Sequence, residues 1–477
     1  CRIARRLAPQ AKIVVGGHVT AIPGIESMID ADHIVKGDGI AWMRGYLGQD
    51  ASKPIVHPPI VSGFDTRVMG MKIPRPVAAT IIPSVGCPLG CNFCTTSAFF
   101  GGKGKFLNFY DDGDELFDVM ETMERALHCH SFFVMDENFL LHRKRAMGLL
   151  KRMEAAGKAW EIYVFSSANA IRKYTMDEIV RLGVSWVWMG LESPKSQYQK
   201  LSGADTRELV AELQSNGVRV MGSTIVGLEH HTPENIEEEI EHAVAHNTDF
   251  HQFMLYTPVP GTALYSQVKE EGRLLDVDLA DIHGQDRFNF THPAISGDDS
   301  KRFLDGAFQR DFERNGPSLA RICRTTLEGW KRHRNHPDER VRRRFTHELQ
   351  TLRTAYCGLL WAMERHLRNV NPLVSRDIRQ LRKEIISECG AIVGTVSAML
   401  FGPVALAATR REAKRLLRGI TYEPPTFLER RNWDAASPLR ESPSRIDPEK
   451  RAPMPVSHPV PIGSGEYAAY GDLAIGE

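Results

Sequence analysis

The chain lacks an excess of charge of either sign. Its 477 residues carry 60 Lys and Arg against 59 Asp and Glu, a formal net charge of +1. That removes any global attraction to nucleic acid or to an anionic membrane, so either kind of binding has to be local. A disulfide framework is also missing. Eight Cys are few for this length, and Cys1, Cys129, Cys323, Cys357 and Cys389 are scattered. That usage suits a reducing, cytoplasmic compartment. No signal-peptide pattern opens the sequence. A long uncharged apolar run stands between Cys389 and Thr409. The 42% hydrophobic and 25% charged content is that of a soluble globular protein long enough for two or three domains.

The other three Cys stand together in Cys87-Pro88-Leu89-Gly90-Cys91-Asn92-Phe93-Cys94. Three thiolates at CxxxCxxC spacing can hold three corners of a cubane iron–sulfur cluster. No fourth Cys follows nearby, so one iron keeps an open position, the arrangement that separates a catalytic metal from a structural one. Gly86 and Gly90 let the backbone approach the metal closely, and Pro88 pre-sets a bend. Phe93 is expected to place an aromatic ring beside the cofactor. The competing reading is a zinc knuckle, which needs a fourth ligand; the nearest downstream are His128, Cys129 and His130.

This run resembles the CxxxCxΦC signature of the radical S-adenosylmethionine (SAM) enzymes, Φ being aromatic. The resemblance implies that Cys87, Cys91 and Cys94 hold a [4Fe-4S] cluster and that SAM binds the open iron. It also implies reductive cleavage of SAM to a 5′-deoxyadenosyl radical, with electrons from a donor such as flavodoxin or ferredoxin.

The flanks extend the resemblance. Residues 79–299 alternate strand-like and helix-like segments, the pattern of a parallel α/β barrel whose strand ends carry the chemistry. The expected strands are Ala78–Pro83, Phe132–Met135, Ile162–Phe165, Trp186–Met189, Val218–Val226 and Phe253–Tyr256. Six units make a partial, open barrel. Met135-Asp136-Glu137-Asn138 follows the second strand, where the family contacts the SAM amino group, and Asp136 is taken for that role. Gly190-Leu191-Glu192-Ser193 follows the fourth and resembles the segment beside the ribose and methionyl moiety, implicating Glu192 and Ser193. Ile225-Val226-Gly227 ends the fifth and resembles the adenine side, implicating Gly227. Ser223 stands where that motif often has Gly. Pro258-Val259-Pro260-Gly261-Thr262 ends the sixth.

Residues 1–49 read as the end of an α/β domain. A short apolar strand, Ala11–Val15, runs into Gly16-Gly17-His18, and Pro23, Ile34-Val35 and Gly37-Asp38-Gly39 follow. Ligands of open α/β sheets bind at the carboxyl ends of strands, where glycine admits a large group. The order resembles the last third of the cobalamin-binding domain that precedes many radical SAM domains, in which the double glycine, here Gly16 and Gly17, lines the nucleotide-tail pocket. The resemblance places the cobalt-ligating His upstream of residue 1, so the chain is expected to be N-terminally truncated; His18 is not that ligand. A generic Rossmann-like βα unit is the alternative.

Residues 50–78 read as a Pro-rich linker. Residues 300–420 read as a helical domain, with helices expected at Lys301–Arg314, Pro317–Arg334, Asp338–Asn369 and Leu373–Glu388. Its basic cluster, Lys331 to Arg344, could meet phosphate but is diluted by acids, so a solvated face is expected and nucleic acid is not. The run 389–409 could be an interfacial segment that brings the protein to a lipid substrate, or a core helix rich in small residues. Residues 421–477, rich in Pro, Ser and charge, read as a disordered tail.

Together these imply an α/β radical SAM enzyme of the cobalamin-binding type that C-methylates an unactivated carbon of a small-molecule or lipid substrate, with peripheral membrane contact. The alternatives are ring closure or rearrangement, an RNA methylthiotransferase, or a non-catalytic metal-stapled binding protein. The methylthiotransferase reading is disfavoured by the Gly-Gly-His turn and the helical C-terminus.

Overall fold

The computed structural model describes residues 1–62, 66–68, 71–73, 78–191 and 206–418. Two compact units divide the chain, one of residues 1–352 and one from Arg353 onward. The tail 421–477 and the pair Glu192 and Ser193 lie outside the described residues.

The first unit is built on six parallel strands: β1 (Ala78–Ile81), β2 (Ser131–Val134), β3 (Glu161–Phe165), β4 (Val184–Gly190), β5 (Arg219–Val226) and β6 (Phe250–Leu255). They pair in sequential order, β6-β5-β4-β3-β2-β1, and Val61–Ser62 adds an antiparallel edge beside β1. All six strands expected from the sequence are present. Helices α1 (Thr95–Phe99), α2 (Gly113–Leu127), α3 (Arg143–Ala155), α4 (Met176–Arg181), α5 (Thr206–Ser215), α6 (Ile236–Val244) and α7 (Ala263–Glu270) connect or follow them. Several of their starts are capped by side chains that satisfy otherwise unpaired amides. Asp112 caps α2, Thr175 and Glu178 form a capping box on α4, and Thr262 caps α7.

Alternation along the strands sorts side chains between two faces. One set, including Ile81, Phe132, Val134, Ile162, Val164 and Val187, is buried with helix residues such as Leu116, Met120 and Leu149 in one core. The other set faces the concave side of the sheet. There Phe133, Phe165, Trp186, Trp188, Met221 and Met254 all stay partly exposed. A closed (β/α)8 barrel fills that interior with packed side chains; the six-stranded sheet leaves it open and lined with aromatic rings.

Helices α8 (Gly297–Asn315), α9 (Ser318–His333) and α10 (Glu339–Thr351) belong to this unit. The boundary thus falls at residue 352 rather than at 300. Long-range polar contacts fix it: Arg321 on α9 binds Asp311 and the Thr248 carbonyl, and Glu348 on α10 pairs with Arg219 of β5. The expected helix Asp338–Asn369 is interrupted by a π-helical turn, Leu352–Tyr356, where the units divide. The basic cluster is divided, with Arg332, Arg334 and Arg343 exposed as the sequence suggests. Arg340 and Arg344 are buried, and Arg344 pairs with Glu348.

The N-terminal stretch forms a two-stranded parallel pair, Val14–Val15 with His33–Ile34. The second unit consists of α11 (Cys357–Leu367), α12 (Pro372–Cys389) and α13 (Ala391–Leu416).

Candidate functional site

The three-Cys loop leaves the carboxyl end of β1 and is pinched at its base. Ser84–Val85 pairs antiparallel with Leu107–Asn108, so residues 86–106 form one closed excursion. Within it Gly86 (φ 91°) and Gly90 (φ 70°) take the left-handed backbone that disfavours other residues. A Cβ on Gly90 would lie 2.7 Å from the Lys103 Cα, so the loop closes on itself only with glycine there. The Gly104 amide donates to the Pro88 carbonyl, and the Ser97 hydroxyl donates to the Cys87 carbonyl. Cys94 is the N-cap of α1, its Sγ accepting from the Ser97 amide at 3.5 Å.

Cys87, Cys91 and Cys94 are partly exposed and not disulfide-bonded. Burial pushes the Cys87 thiol up to about 11, and the nearby Cys94, Cys91 and Glu137 add to it. The three Cys and Glu137 disfavour one another's ionisation, and a bound cation is what would favour it. Among the described residues no three Cys, His, Asp or Glu side chains are grouped for a single metal ion. A closed tetrahedral zinc site takes four protein ligands, whereas a cubane with one open iron takes three thiolates. The donor set fits a cluster with one open iron better than zinc. His128, Cys129 and His130 do not complete a zinc site either, since Cys129 is buried at the foot of β2.

Phe93 turns away from a purely metal-facing role. Its ring meets Tyr256 edge-on at 6.2 Å and packs on the core beneath β5 and β6. Asn92 reinforces the link, accepting from the Leu264 amide through its carbonyl. The last part of the Cys loop is therefore fastened to the far end of the sheet.

The segment after β2 assigns its acids differently from the sequence reading. Asp136 is 2% exposed and paired with Arg145 of α3, which is equally buried; it also accepts from the Ser84 hydroxyl at 2.6 Å and the Asn138 amide at 3.0 Å. Its Oδ2 is shared by Arg145 and Ser84, and its Oδ1 holds the Asn138 amide. Its neighbour Glu137 is half-buried beside the Cys loop. One oxygen interacts with the Gly86 amide, and its buried Oε2 has no hydrogen-bond partner. Burial raises the Glu137 carboxyl to about 7, and Asp136 adds to the shift. A buried acceptor without a partner calls for one, and a bound water, ion or ligand would supply it. The sequence signal was present in the Asp136-Glu137 pair; which of the two faced the loop was not.

Gly227 adopts φ 80°, and a Cβ there would lie 2.4 Å from the Phe288 ring. Its amide donates to His231 Nδ1 at 3.0 Å, so His231, unremarked in the sequence, shapes this strand end. Gly16 and Gly17 end the N-terminal strand pair. Gly17 (φ 77°) has open space where a side chain would stand. The next residue, His18, stacks on Phe99 of α1 at 4.9 Å, and Ala21 sits against Gly261. The double glycine is thus held next to the Cys loop.

A thiol triad on a closed loop, at the carboxyl end of a six-stranded parallel sheet with an open aromatic interior, defines a cluster-type α/β protein. Residues 81–243 match the model of the radical SAM superfamily, so this part of the chain is a radical SAM domain. Among curated relatives, it is 26% identical to bacteriochlorophyllide d C-12(1)-methyltransferase of Chlorobaculum tepidum over 43% of this chain and 45% of that protein. It is 23% identical to the hopanoid C-2 methylase of Rhodopseudomonas palustris over 56% of this chain and 54% of that protein. The anaerobic magnesium-protoporphyrin IX monomethyl ester cyclase of Rubrivivax gelatinosus is also 23% identical, over 59% and 46%. The chain spans about half the length of these relatives.

Proposed function

We propose that this chain is the radical SAM part of a cobalamin-type enzyme that methylates an unactivated carbon of a hydrophobic substrate. The observation that carries the reading is the closed Cys87–Cys91–Cys94 loop facing the unpartnered carboxylate oxygen of Glu137. When bound, the cluster and SAM supply a one-electron reductive cleavage and a hydrogen-abstracting radical.

The chain's own residues supply placement. Gly86 and Gly90 close the loop that carries the three thiols. Glu137 offers its free oxygen to a cation, as the ammonium of SAM would be, and Gly227, Glu192 and Ser193 are the further candidates for the rest of that molecule. The aromatic interior takes an apolar substrate and keeps water from a radical. Gly16-Gly17, held beside α1, is the candidate wall of a cobalamin pocket. An electron donor such as flavodoxin or ferredoxin is required. A cytoplasmic location with contact at a membrane surface suits a lipid substrate, and the exposed apolar residues of α13 favour it.

Relatives named as methyltransferases or methylase support methylation, and the relative named as a cyclase supports ring closure as the second reading. The experiment supplies the cluster-loaded, reduced protein with hydroxocobalamin, SAM bearing a deuterated methyl group, and either a chlorin or a hopanoid. A product carrying the intact labelled methyl supports methylation. An unlabelled product that has lost hydrogen transfers the proposal to ring closure.

A further inference from the structure

Helix α13 packs with its small residues inward and its large apolar residues outward. Gly394, Ser397, Ala398 and Gly402 are buried. A Cβ on Gly394 would lie 3.2 Å from the Cys357 Sγ, and one on Gly402 2.6 Å from the Trp361 ring. Gly358 of α11 approaches the Ser397 carbonyl as closely, at 3.1 Å in the same sense. On the opposite face Ile392 is 80% exposed, Met399 70% and Leu400 64%, with Val396 and Val404 about half exposed. Helices of water-soluble domains turn their large apolar residues in. Small residues inward and large ones outward is how helices pack where their surroundings are lipid. The neighbouring α12 behaves as a water-facing helix, with Arg376, Asp377, Gln380 and Lys383 outward.

The exposed stripe changes character along its length. At helical spacing it reads Ile392, Val396, Met399 and Pro403, then Arg410, Lys414 and Arg418. Arg410, Arg411, Lys414, Arg415 and Arg418 line a single recess.

We infer that α13 docks on one leaflet of an anionic bilayer, its first half entering the acyl layer and its cationic half meeting headgroup phosphates. This deepens the membrane-surface reading above and rests on it. By length and composition the helix from Ile392 is long and apolar enough to cross a membrane, but its large exposed apolar side chains stop at Val404, about 18 Å along at 1.5 Å per residue. The charged outer face of α12 keeps the rest of the unit in water. Monotopic docking therefore fits, and spanning does not. A second copy is a poorer occupant, since parallel pairing opposes the cations and antiparallel pairing lays them on apolar side chains.

The test is flotation of the full chain with vesicles of phosphatidylcholine, with and without phosphatidylglycerol. The chain is expected to float with anionic vesicles and weakly with neutral ones. Arg410→Gln and Lys414→Gln are each expected to weaken the anionic partition about fivefold. Met399→Asp with Leu400→Asp is expected to abolish flotation on both, and these exposed changes leave the melting temperature unchanged. Flotation insensitive to the aspartates, or no flotation of the wild type, overturns the inference. So does a doubled mass by light scattering without vesicles that the aspartates reverse, which marks a second copy. Reductive SAM cleavage measured on the same samples is expected to be unaffected by these variants, and its loss everywhere would count against the catalytic reading while leaving docking decided by flotation.

Discussion

The Asp136 carboxylate and the Arg145 guanidinium form a buried ion pair that grips both stems of the Cys loop. Ser84, on the incoming stem, donates to Asp136, and Asn108, on the outgoing stem, accepts from Arg145 at 2.9 Å. Arg145 also donates to the Tyr110 carbonyl. The acid expected to touch a cofactor instead fixes the loop that carries the metal ligands, and Glu137 is left facing that loop.

Two adjacent acids should therefore fail in different ways. Removing one partner of a buried pair strands the other, at a cost of about 3–5 kcal/mol. Asp136→Asn is expected to lower the melting temperature and the iron content together. Glu137→Gln keeps the fold and the cluster but loses a charge-assisted contact, weakening SAM binding on the order of tenfold. Thermal melts, iron analysis and equilibrium dialysis with SAM separate the two. Equal loss of stability in both variants would contradict the assignment.

Gly90→Ala tests the loop closure. The added Cβ meets the Lys103 backbone in a conformation that already disfavours alanine. Cluster incorporation is expected to fall several-fold, while the far-ultraviolet circular dichroism of the barrel is unchanged. Gly102, also at positive φ but with nothing near its Cβ position, is the control, and Gly102→Ala should cost no more than backbone strain.

Acid stability should report His251. It is 4% exposed on β6, with Thr224 at 2.9 Å and Asp311, Arg321 and His246 around it, and burial pushes its imidazole down to about 3. Its pKa is lower folded than unfolded. The unfolded chain therefore binds the extra proton first, and stability is full above about pH 6.5 and falls as the pH drops toward 3. At pH 5 the loss amounts to roughly 2 kcal/mol. His251→Gln, which cannot titrate, is expected to lessen the fall in melting temperature between pH 7 and 5, the rest coming from His246 and His333, which burial also pushes down to about 4; an unchanged slope would contradict this role.

The six strands were readable because each is a short apolar run closed by Gly, Pro, an acid or, after β3, Ser166-Ser167, and those signals are local. The Cys triad was readable for the same reason. What was not readable depended on direction. Asp136 and Glu137 are neighbours in sequence, and only the pairing of α3 with β2 decides which one Arg145 takes. Helices α8–α10 share the apolar spacing of α11–α13, so nothing local says that Arg321 and Glu348 fasten them to the barrel. The run 389–409 was visibly apolar, but the sequence did not tell which face α11 covers.

The most direct measurement is 5′-deoxyadenosine formation, by mass spectrometry, after anaerobic reconstitution with iron and sulfide, reduction and addition of SAM, with Cys91→Ala alongside. The account predicts the nucleoside from the wild type and none from the variant. A protein that assembles no cluster and co-purifies with stoichiometric zinc, or a Cys91→Ala variant that forms the nucleoside equally well, would contradict it.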